Sequence, residues 1–339
     1  MPRHSLFIYG GAIGDTLLGI QLAHALQAAG GKSTLTLIST RASGFSRQVA
    51  EAAGVRYLEL PREKLFSWFA LVRFAFSPHA VVYLEPFQDK IPTWWKIIAR
   101  MATLTPGSIE VHCQSRPQAV TGRVRVISYS PQKDNLFSMI AQVPAAWGAA
   151  KIASPVPWLP RPQCSETPKR PYILFHFFAG AYRRSFPIEK VRPLLMEARK
   201  EFPGHEFVLT CAHGEEATAA RMTEGVSDAR IEISPSAKKL FCLLMQSSVC
   251  VGVASGVTHI AAHLKAPAVI LCNLSDPCWL PSYNPEVAML SERANCKCNG
   301  DKTGDCGVET PGGLVYHCLY DISTERIIAA MKQKISQPS

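Results

Sequence analysis

Residues Val251 to Pro267 read VGVASGVTHIAAHLKAP. A short run of small and β-branched apolar residues gives way to Ser255-Gly256 and then to an alanine-rich helical pattern, so the stretch predicts a strand, a tight turn and a helix. The first amides of a helix have no intrahelical acceptor, and the helix dipole is positive there. Such a turn suits an anion, with Ser255, Gly256 and Val257 presenting amides and Ser255 a hydroxyl. The same pattern is also an ordinary connection in an α/β protein, and the stretch alone leaves both readings open. His259, four residues on, either faces the bound group or is a satisfied structural histidine.

Outward from this stretch the alternation repeats. In the second half, strands are predicted at YILFHF (172–177), EFVLTC (206–211), VCVGVA (249–254) and PAVILC (267–272), with helices near 188–202, 214–224, 236–247 and 257–265. In the first half, strands are predicted at SLFIY (5–9), TLTLIS (34–39), VRYLEL (55–60), AVVYLE (80–85) and RVRVIS (123–128). Helices are expected at 15–29, near 43–53 and near 92–104. Strands alternating with helices imply parallel sheets covered on both faces. Between the two series lies SPVPWLPRPQCSETPKRP (154–171), with six prolines and no periodicity, the best linker in the chain.

The expected fold class is therefore α/β, with two doubly wound Rossmann-like domains facing each other across a cleft. The predicted boundaries are 1–157 for the first domain, 158–170 for the linker, 171–320 for the second domain and 321–339 for a terminal helix packing back on the N-terminal domain. In doubly wound sheets, ligands bind at the carboxyl ends of the strands, so the loops after strands are where chemistry is sought.

Composition agrees with a buried globular chain: 47% of the 339 residues are hydrophobic and 18% charged. No segment has the roughly 18 uncharged apolar residues of a membrane span, and MPRHSLFIYGG is too short in apolar residues for a secretory leader. A cytoplasmic protein is expected. The formal charge of +10 is unevenly placed: residues 1–160 hold 16 Lys and Arg against 8 Asp and Glu, so this half seeks anionic partners. No nucleic-acid-binding signature accompanies the charge, which points to an acidic acceptor or an anionic lipid surface.

Three further stretches carry chemistry. After the first strand comes YGGAIGDTLLG, where Gly10, Gly11 and Gly14 lack dinucleotide-fingerprint spacing. Asp15 there either points into the cleft or caps the helix. GGKST (30–34) lacks the glycine of a phosphate loop and precedes a strand, so it reads as a solvated turn. HFFAGAYRRSFP (176–187) follows the first strand of the second domain. Gly180 permits a turn, and Arg183 and Arg184 supply guanidinium groups, which hold phosphate in bidentate fashion.

Together and in order, GGAIGDTLL, HFFAGAYRRSFP, ASGVTHIAAHLKAP and NLSDPCWLPSY (273–283) resemble glycosyltransferase family 9, the heptosyltransferase-like enzymes of lipopolysaccharide synthesis with the GT-B fold. The resemblance implies that Asp15 is the catalytic base, Arg184 a donor-phosphate ligand, and Ser255 to Thr258 the backbone cradle of the pyrophosphate. Glu215 looks similar to the family's ribose-binding acid, with Glu216 as the alternative. Where the family has Asp before Ser-Gly, this chain has Ala254. Because that Asp is expected to touch sugar hydroxyls, a donor other than heptose is expected here.

Seven of the eleven cysteines (113, 164, 211, 242, 250, 272 and 278) are scattered and read as buried thiols in a reducing compartment. Cys296, Cys298, Cys306 and Cys318 cluster around a Gly-rich loop and read either as ligands of a structural metal or as free or reversibly paired thiols; their C-x-C spacing is tighter than the usual ligand pair. FSWFALVRFAF (66–76) and IPTWWKIIARMATL (91–104), with Trp94 and Trp95 beside Lys96 and Arg100, read either as aromatic core or as an interfacial membrane helix.

The reading that joins these elements is a metal-independent, inverting glycosyltransferase. It would move a sugar from a nucleotide-diphosphate donor, with ADP as first choice, to a lipid-linked saccharide at the cytoplasmic face of the inner membrane. It needs no catalytic cofactor and takes no nucleic acid. The alternatives are a GT-B-fold binding or assembly protein with weakened catalysis, and a cysteine-cluster metal protein on the same scaffold.

Overall fold

The computed structural model describes residues 4–9, 13–28, 34–39, 44–59, 69, 80–85, 109–113, 125–129, 135, 159–273, 279–282, 284–292 and 306–337. The chain divides into two compact units, Met1–Trp158 and Leu159–Ser339. The predicted helix at 92–104 and its tryptophans lie outside the described residues, as do Gly10, Gly11, Cys296 and Cys298.

In the first unit, β1 (His4–Tyr9), α1 (Ile13–Ala28), β2 (Thr34–Ser39), α2 (Gly44–Ala52), β3 (Arg56–Glu59), β4 (Ala80–Glu85), β5 (Ile109–Cys113) and β6 (Arg125–Tyr129) follow in order. The strands form one sheet, β3-β2-β1-β4-β5-β6, with every pairing parallel. Parallel neighbours need crossovers, which is why helices separate the first strands. Residues 16–21 of α1 are buried all round the helix, as expected of an apolar helix enclosed in a core. β5 was not anticipated, because IEVHC mixes apolar residues with Glu110 and His112 over only five positions.

The second unit contains β7 (Tyr172–His176), a 3-10 turn (Tyr182–Arg184), α3 (Ile188–Glu201), β8 (Glu206–Cys211), α4 (Glu216–Thr223), β9 (Ala229–Ile233) and α5 (Ala237–Gln246). There follow β10 (Val249–Val253), α6 (Gly256–Leu264), β11 (Ala268–Leu271), β12 (Val287–Leu290), β13 (Val308–Thr310), β14 (Gly313–Val315), α7 (His317–Tyr320) and α8 (Thr324–Ser336). Its sheet runs β12-β11-β10-β7-β8-β9, again all parallel. Counted from β7, this order is the same as that of the first unit, so both sheets are doubly wound and reverse direction between their first and fourth strands.

Central strands β10 and β11 are buried at every residue, as parallel strands covered on both faces must be. Edge strands β9 and β12 are only partly buried. That explains why neither ARIEI nor VAML carried a strand signal in the sequence. Ser236 and Ser323 cap α5 and α8 by accepting from the amides of Lys239 and Arg326, both at 3.3 Å.

On the terminal helix α8, Ile327, Ile328 and Met331 are buried in the second unit's core with Val251, Leu271 and Leu319. Each such side chain contributes about 1.5–3 kcal/mol when fully buried. Cys164 and Cys242 are not separate thiols but a disulfide, with Cα atoms 5.6 Å apart, tying the proline-rich segment to α5. A 78-residue separation hid the pairing from sequence reading. Cys211, Cys250 and Cys272 are buried thiols, with burial raising them to about 11, 12 and 12.

Candidate active site

The second unit's crevice lies at the carboxyl ends of β7 and β10, adjacent strands with Gly252 paired to His176. Gly252 is required by close approach: a Cβ there would overlap the His176 carbonyl oxygen. The two segments singled out from the sequence leave the sheet at this point, side by side.

At the β10 end, the chain turns through Ala254 and Ser255 into α6. Thr258, fully buried, fastens the turn from inside: its hydroxyl donates to the Val253 carbonyl at 2.8 Å and accepts the Ser255 amide at 3.1 Å. The Ala254 amide donates to Leu271 at 3.0 Å. The expectation that Ser255 offers its amide to a ligand is therefore narrowed, since that amide is engaged by the Thr258 hydroxyl in shaping the turn. The Gly256 and Val257 amides at the first positions of α6 have no acceptor among the described residues, as helix geometry dictates. The Ser255 hydroxyl is turned toward the Thr258 amide as in a capping box, but it is buried and has no hydrogen-bond partner among the described residues. Two open amides at the positive end of a helix are the arrangement that suits an anion, and the turn is the candidate cradle.

His259 lies on the inner side of α6, only 7% exposed. Burial first, and the neighbouring His263 second, lower it to about 3. Burial therefore favours the neutral form of the His259 imidazole.

At the β7 end, His176 is lowered to about 4 by burial, with Nδ1 3.0 Å from the Thr210 hydroxyl. The chain then makes a fastened turn: Phe186 N–H donates to Phe177 at 3.0 Å, Ala179 N–H to the Ser185 hydroxyl at 3.0 Å, and Arg184 N–H to Ala181 at 2.9 Å. Gly180 does not occupy a left-handed conformation, so the turn does not demand glycine on backbone grounds. A Cβ there would only touch the Arg184 Nη2, at 3.9 Å. The two arginines differ. Arg183 lies with its guanidinium 4.6 Å over the Tyr316 ring and Nη2 3.5 Å from the Cys306 carbonyl. Arg184 is exposed, and its side chain has no hydrogen bond or ion pair among the described residues, leaving a permanent cation available on the turn that follows β7.

Beyond β8, Glu215 accepts the Ala212 amide through Oε2 at 2.8 Å. Glu216 accepts the Gly214 amide through Oε2 at 2.7 Å and meets His213 Nδ1 through Oε1 at 3.3 Å. The backbone hydrogen bonds hold Glu216 below the usual carboxylate range. Glu216 therefore has both oxygens occupied within the loop, whereas Glu215 Oε1 has no hydrogen-bond partner among the described residues.

Asp15 is the third residue of α1, inside its first turn and not before it. This places it beyond the N-cap position; its carboxylate lies outside what is described. Gly14 precedes it within the helix. Of the cysteine cluster, Cys306 and Cys318 are buried thiols. Among the described residues no three His, Cys, Asp or Glu side chains gather as a metal site. No helix among them is long and apolar enough to cross a membrane.

Residues 152–306 match the model of glycosyltransferase family 9 (heptosyltransferase). The whole chain is similar in structure to a family 9 glycosyl transferase from Veillonella parvula, with a TM-score of 0.73 at 14% identity, covering 98% of this chain and 97% of that one. It is also similar to the ADP-heptose lipopolysaccharide heptosyltransferase II of E. coli, with a TM-score of 0.68 at 16% identity over 98% of both chains. A third similar structure is the iron-containing dodecameric glycosyltransferase TibC from enterotoxigenic E. coli, with a TM-score of 0.59 at 12% identity, covering 98% of this chain and 78% of that one. No curated protein matches the chain.

Proposed function

We propose that this chain is a family 9, heptosyltransferase-like glycosyltransferase, since residues 152–306 match that family's model and the fold is that of the similar GT-B structures, and that it transfers a sugar, with inversion, from an ADP-sugar to a lipid-linked saccharide. The observation that carries this reading is that the open Gly256 and Val257 amides and the turn bearing Arg184 follow two adjacent parallel strands, β10 and β7. A diphosphate leaving group gains charge as its bond to the sugar lengthens, and dipoles and a guanidinium fixed in advance stabilise that charge without reorganising.

In the proposed reaction, Asp15 accepts the proton of the acceptor hydroxyl as its oxygen bonds to the anomeric carbon. The bond from that carbon to the diphosphate oxygen breaks from the opposite face. The amides and Arg184 receive the departing diphosphate, while Glu215 Oε1 accepts from the ribose diol. ADP as the nucleotide is supported by the similar E. coli enzyme, named for ADP-heptose. The surplus of basic residues before position 160 supports an anionic acceptor at a membrane surface.

Cys296, Cys298, Cys306 and Cys318 are proposed to hold a structural ion. Thiolate sulfur suits iron or zinc, and the similar TibC contains iron. The buried placement of Cys306 and Cys318 fits such a role. Bound there, the ion would brace the C-terminal segment, and elemental analysis of the purified protein tests it.

The test of function is release of ADP from ADP-heptose and other ADP-sugars in the presence of lipid-linked saccharide, with product linkage read by NMR. Binding of ADP without turnover of any donor would favour the binding-protein reading, to which the missing carboxylate at Ala254 lends support.

A further inference from the structure

The turn that carries Arg184 is held from outside its own segment, by the β13–β14 hairpin. Tyr182, which opens the 3-10 turn, lays its ring on the hairpin's Gly312-Gly313 bend, with its hydroxyl 3.1 Å from the Thr310 hydroxyl. Thr310 donates its one proton to the Gly313 carbonyl at 2.6 Å, so Tyr182 must be the donor to Thr310. The bend has no room for side chains. A Cβ on Gly312 would overlap the Tyr182 hydroxyl, and one on Gly313 would stand 3.1 Å from the ring at a φ of 126°.

Arg183 repeats the attachment one residue later. Its guanidinium covers the Tyr316 ring, and its carbonyl accepts the Tyr316 amide at 3.2 Å. Two residues of a three-residue turn are thus bound to the hairpin and its exit, while the third, Arg184, is left exposed.

We propose that Tyr182, seated on the Gly312-Gly313 bend, is a positioning residue for Arg184, so that the C-terminal hairpin sets how tightly the crevice holds a nucleoside diphosphate. The inference rests on Arg184 being a diphosphate ligand. A guanidinium on an already ordered turn binds without the entropic cost of ordering that turn, whereas the same side chain on a loose loop loses part of its contribution. The one bulky ring between the turn and the bend is what couples them. The glycines follow from it: they are the only residues that let the ring lie flat on the bend.

The experiment is a double-mutant cycle with ADP as the probe, measured by calorimetry on the full chain, with thermal unfolding of each variant recorded alongside. Arg184→Ala is expected to weaken ADP by about 10–100-fold, the usual loss of a charge-assisted phosphate contact. Tyr182→Ala, which removes the ring, should weaken it by about 3–10-fold, within the range of coupled neighbours. Tyr182→Phe, which keeps the ring on the bend, should recover most of that loss. In the Arg184→Ala background, Tyr182→Ala should cost nothing further, a non-additivity that a merely structural role would not produce.

Wild-type ADP affinity in Tyr182→Ala, or full additivity with Arg184→Ala, overturns the proposal while leaving Arg184 as a ligand. Unchanged affinity in Arg184→Ala overturns the diphosphate reading itself, and this proposal with it. Should Tyr182→Ala not fold, Thr310→Val enters the same cycle. It releases only the hydroxyl contact, and its loss of ADP affinity must likewise vanish without Arg184 for the proposal to stand.

Discussion

His263 bonds through Nδ1 to the carbonyl of His259 at 2.9 Å, so two imidazoles lie one turn apart inside the helix that begins at the anion cradle. A carbonyl only accepts, which fixes the Nδ1–H tautomer of His263. Burial lowers His263 to about 4, His259 to about 3 and, across the crevice floor, His176 to about 4. Unfolded, each would titrate near 6.5. Between pH 6.5 and about 4 the unfolded chain therefore binds more protons than the folded one, and stability falls as the pH is lowered through this window. Their contribution is fully present above pH 6.5. Each histidine adds a slope of up to about 1.4 kcal/mol per pH unit. Denaturant melts at pH 7, 6 and 5 should show this loss, and His263→Asn should make the dependence shallower. A flat profile in the wild type would mean that these rings reach solvent.

Arg183 and Arg184 should separate cleanly. Arg184→Ala is expected to leave the melting temperature unchanged and to cost about 1.5–3 kcal/mol of ADP binding. Arg183→Ala loses the Tyr316 stacking and the Cys306 contact. It should lower stability by about 0.5–2 kcal/mol, the range for a cation–π contact, with a smaller effect on ADP. Calorimetry and melting on the same two proteins decide the matter. Reversed effects would exchange the roles of the two residues.

The alternation that placed β7, β10 and β11 was legible because central parallel strands are continuous apolar runs, and the Ser-Gly turn was legible because helix starts have their own residue chemistry. What could not be read was whatever depends on distant partners. β9 and β12 are edge strands with half-exposed patterns. The hairpin at 308–315 has three-residue strands, and its meaning lies in Tyr182, 130 positions away. The Cys164–Cys242 bond is equally non-local. At the site, sequence named the right turn at Ser255 but could not tell that Thr258 is engaged in holding it, or that His259 faces inward. Glu215 and Glu216 became distinguishable only through which amides each one accepts.

Reduction of the Cys164–Cys242 bond should destabilise the second unit. Cross-linking residues 78 apart restricts the unfolded chain, an effect typically worth 2–4 kcal/mol, so the loss is expected to be about that size. Cys242→Ser should melt at a lower temperature than the wild type without reductant, and with it the two should coincide. Equal stability in the absence of reductant would show that the bridge does not form in solution.

Asp15→Asn is nearly isosteric in the first turn of α1 and removes the carboxylate proposed as the base. Transfer is expected to fall by about 10²–10⁴-fold with ADP affinity unchanged, the usual contribution of a positioned general base. Single-turnover transfer beside ADP calorimetry reads both quantities. Wild-type rates would return Asp15 to a role in the helix dipole alone.

The last expectation concerns donor choice and begins at Ala254. Its amide is engaged with Leu271 at 3.0 Å, and its methyl supplies no acceptor to a sugar. The cradle that follows is built from the Gly256 and Val257 main chain, so its hold on diphosphate does not depend on the side chain at 254. Ala254→Asp should therefore leave ADP affinity within a few-fold, the new carboxylate opposing the diphosphate only weakly across solvent. Discrimination among donors should change instead, because one hydrogen bond to a charged group is worth about 1.5–3 kcal/mol, or roughly 10–160-fold. The wild type is expected to prefer a donor other than ADP-heptose, and Ala254→Asp to shift preference toward it. Competing ADP-heptose with ADP-hexoses and ADP-N-acetylhexosamines, in both proteins, gives the ratios of kcat/KM directly. Efficient heptose transfer by the wild type, unmoved by the substitution, would show that sugar hydroxyls are read elsewhere in the crevice and that position 254 is silent.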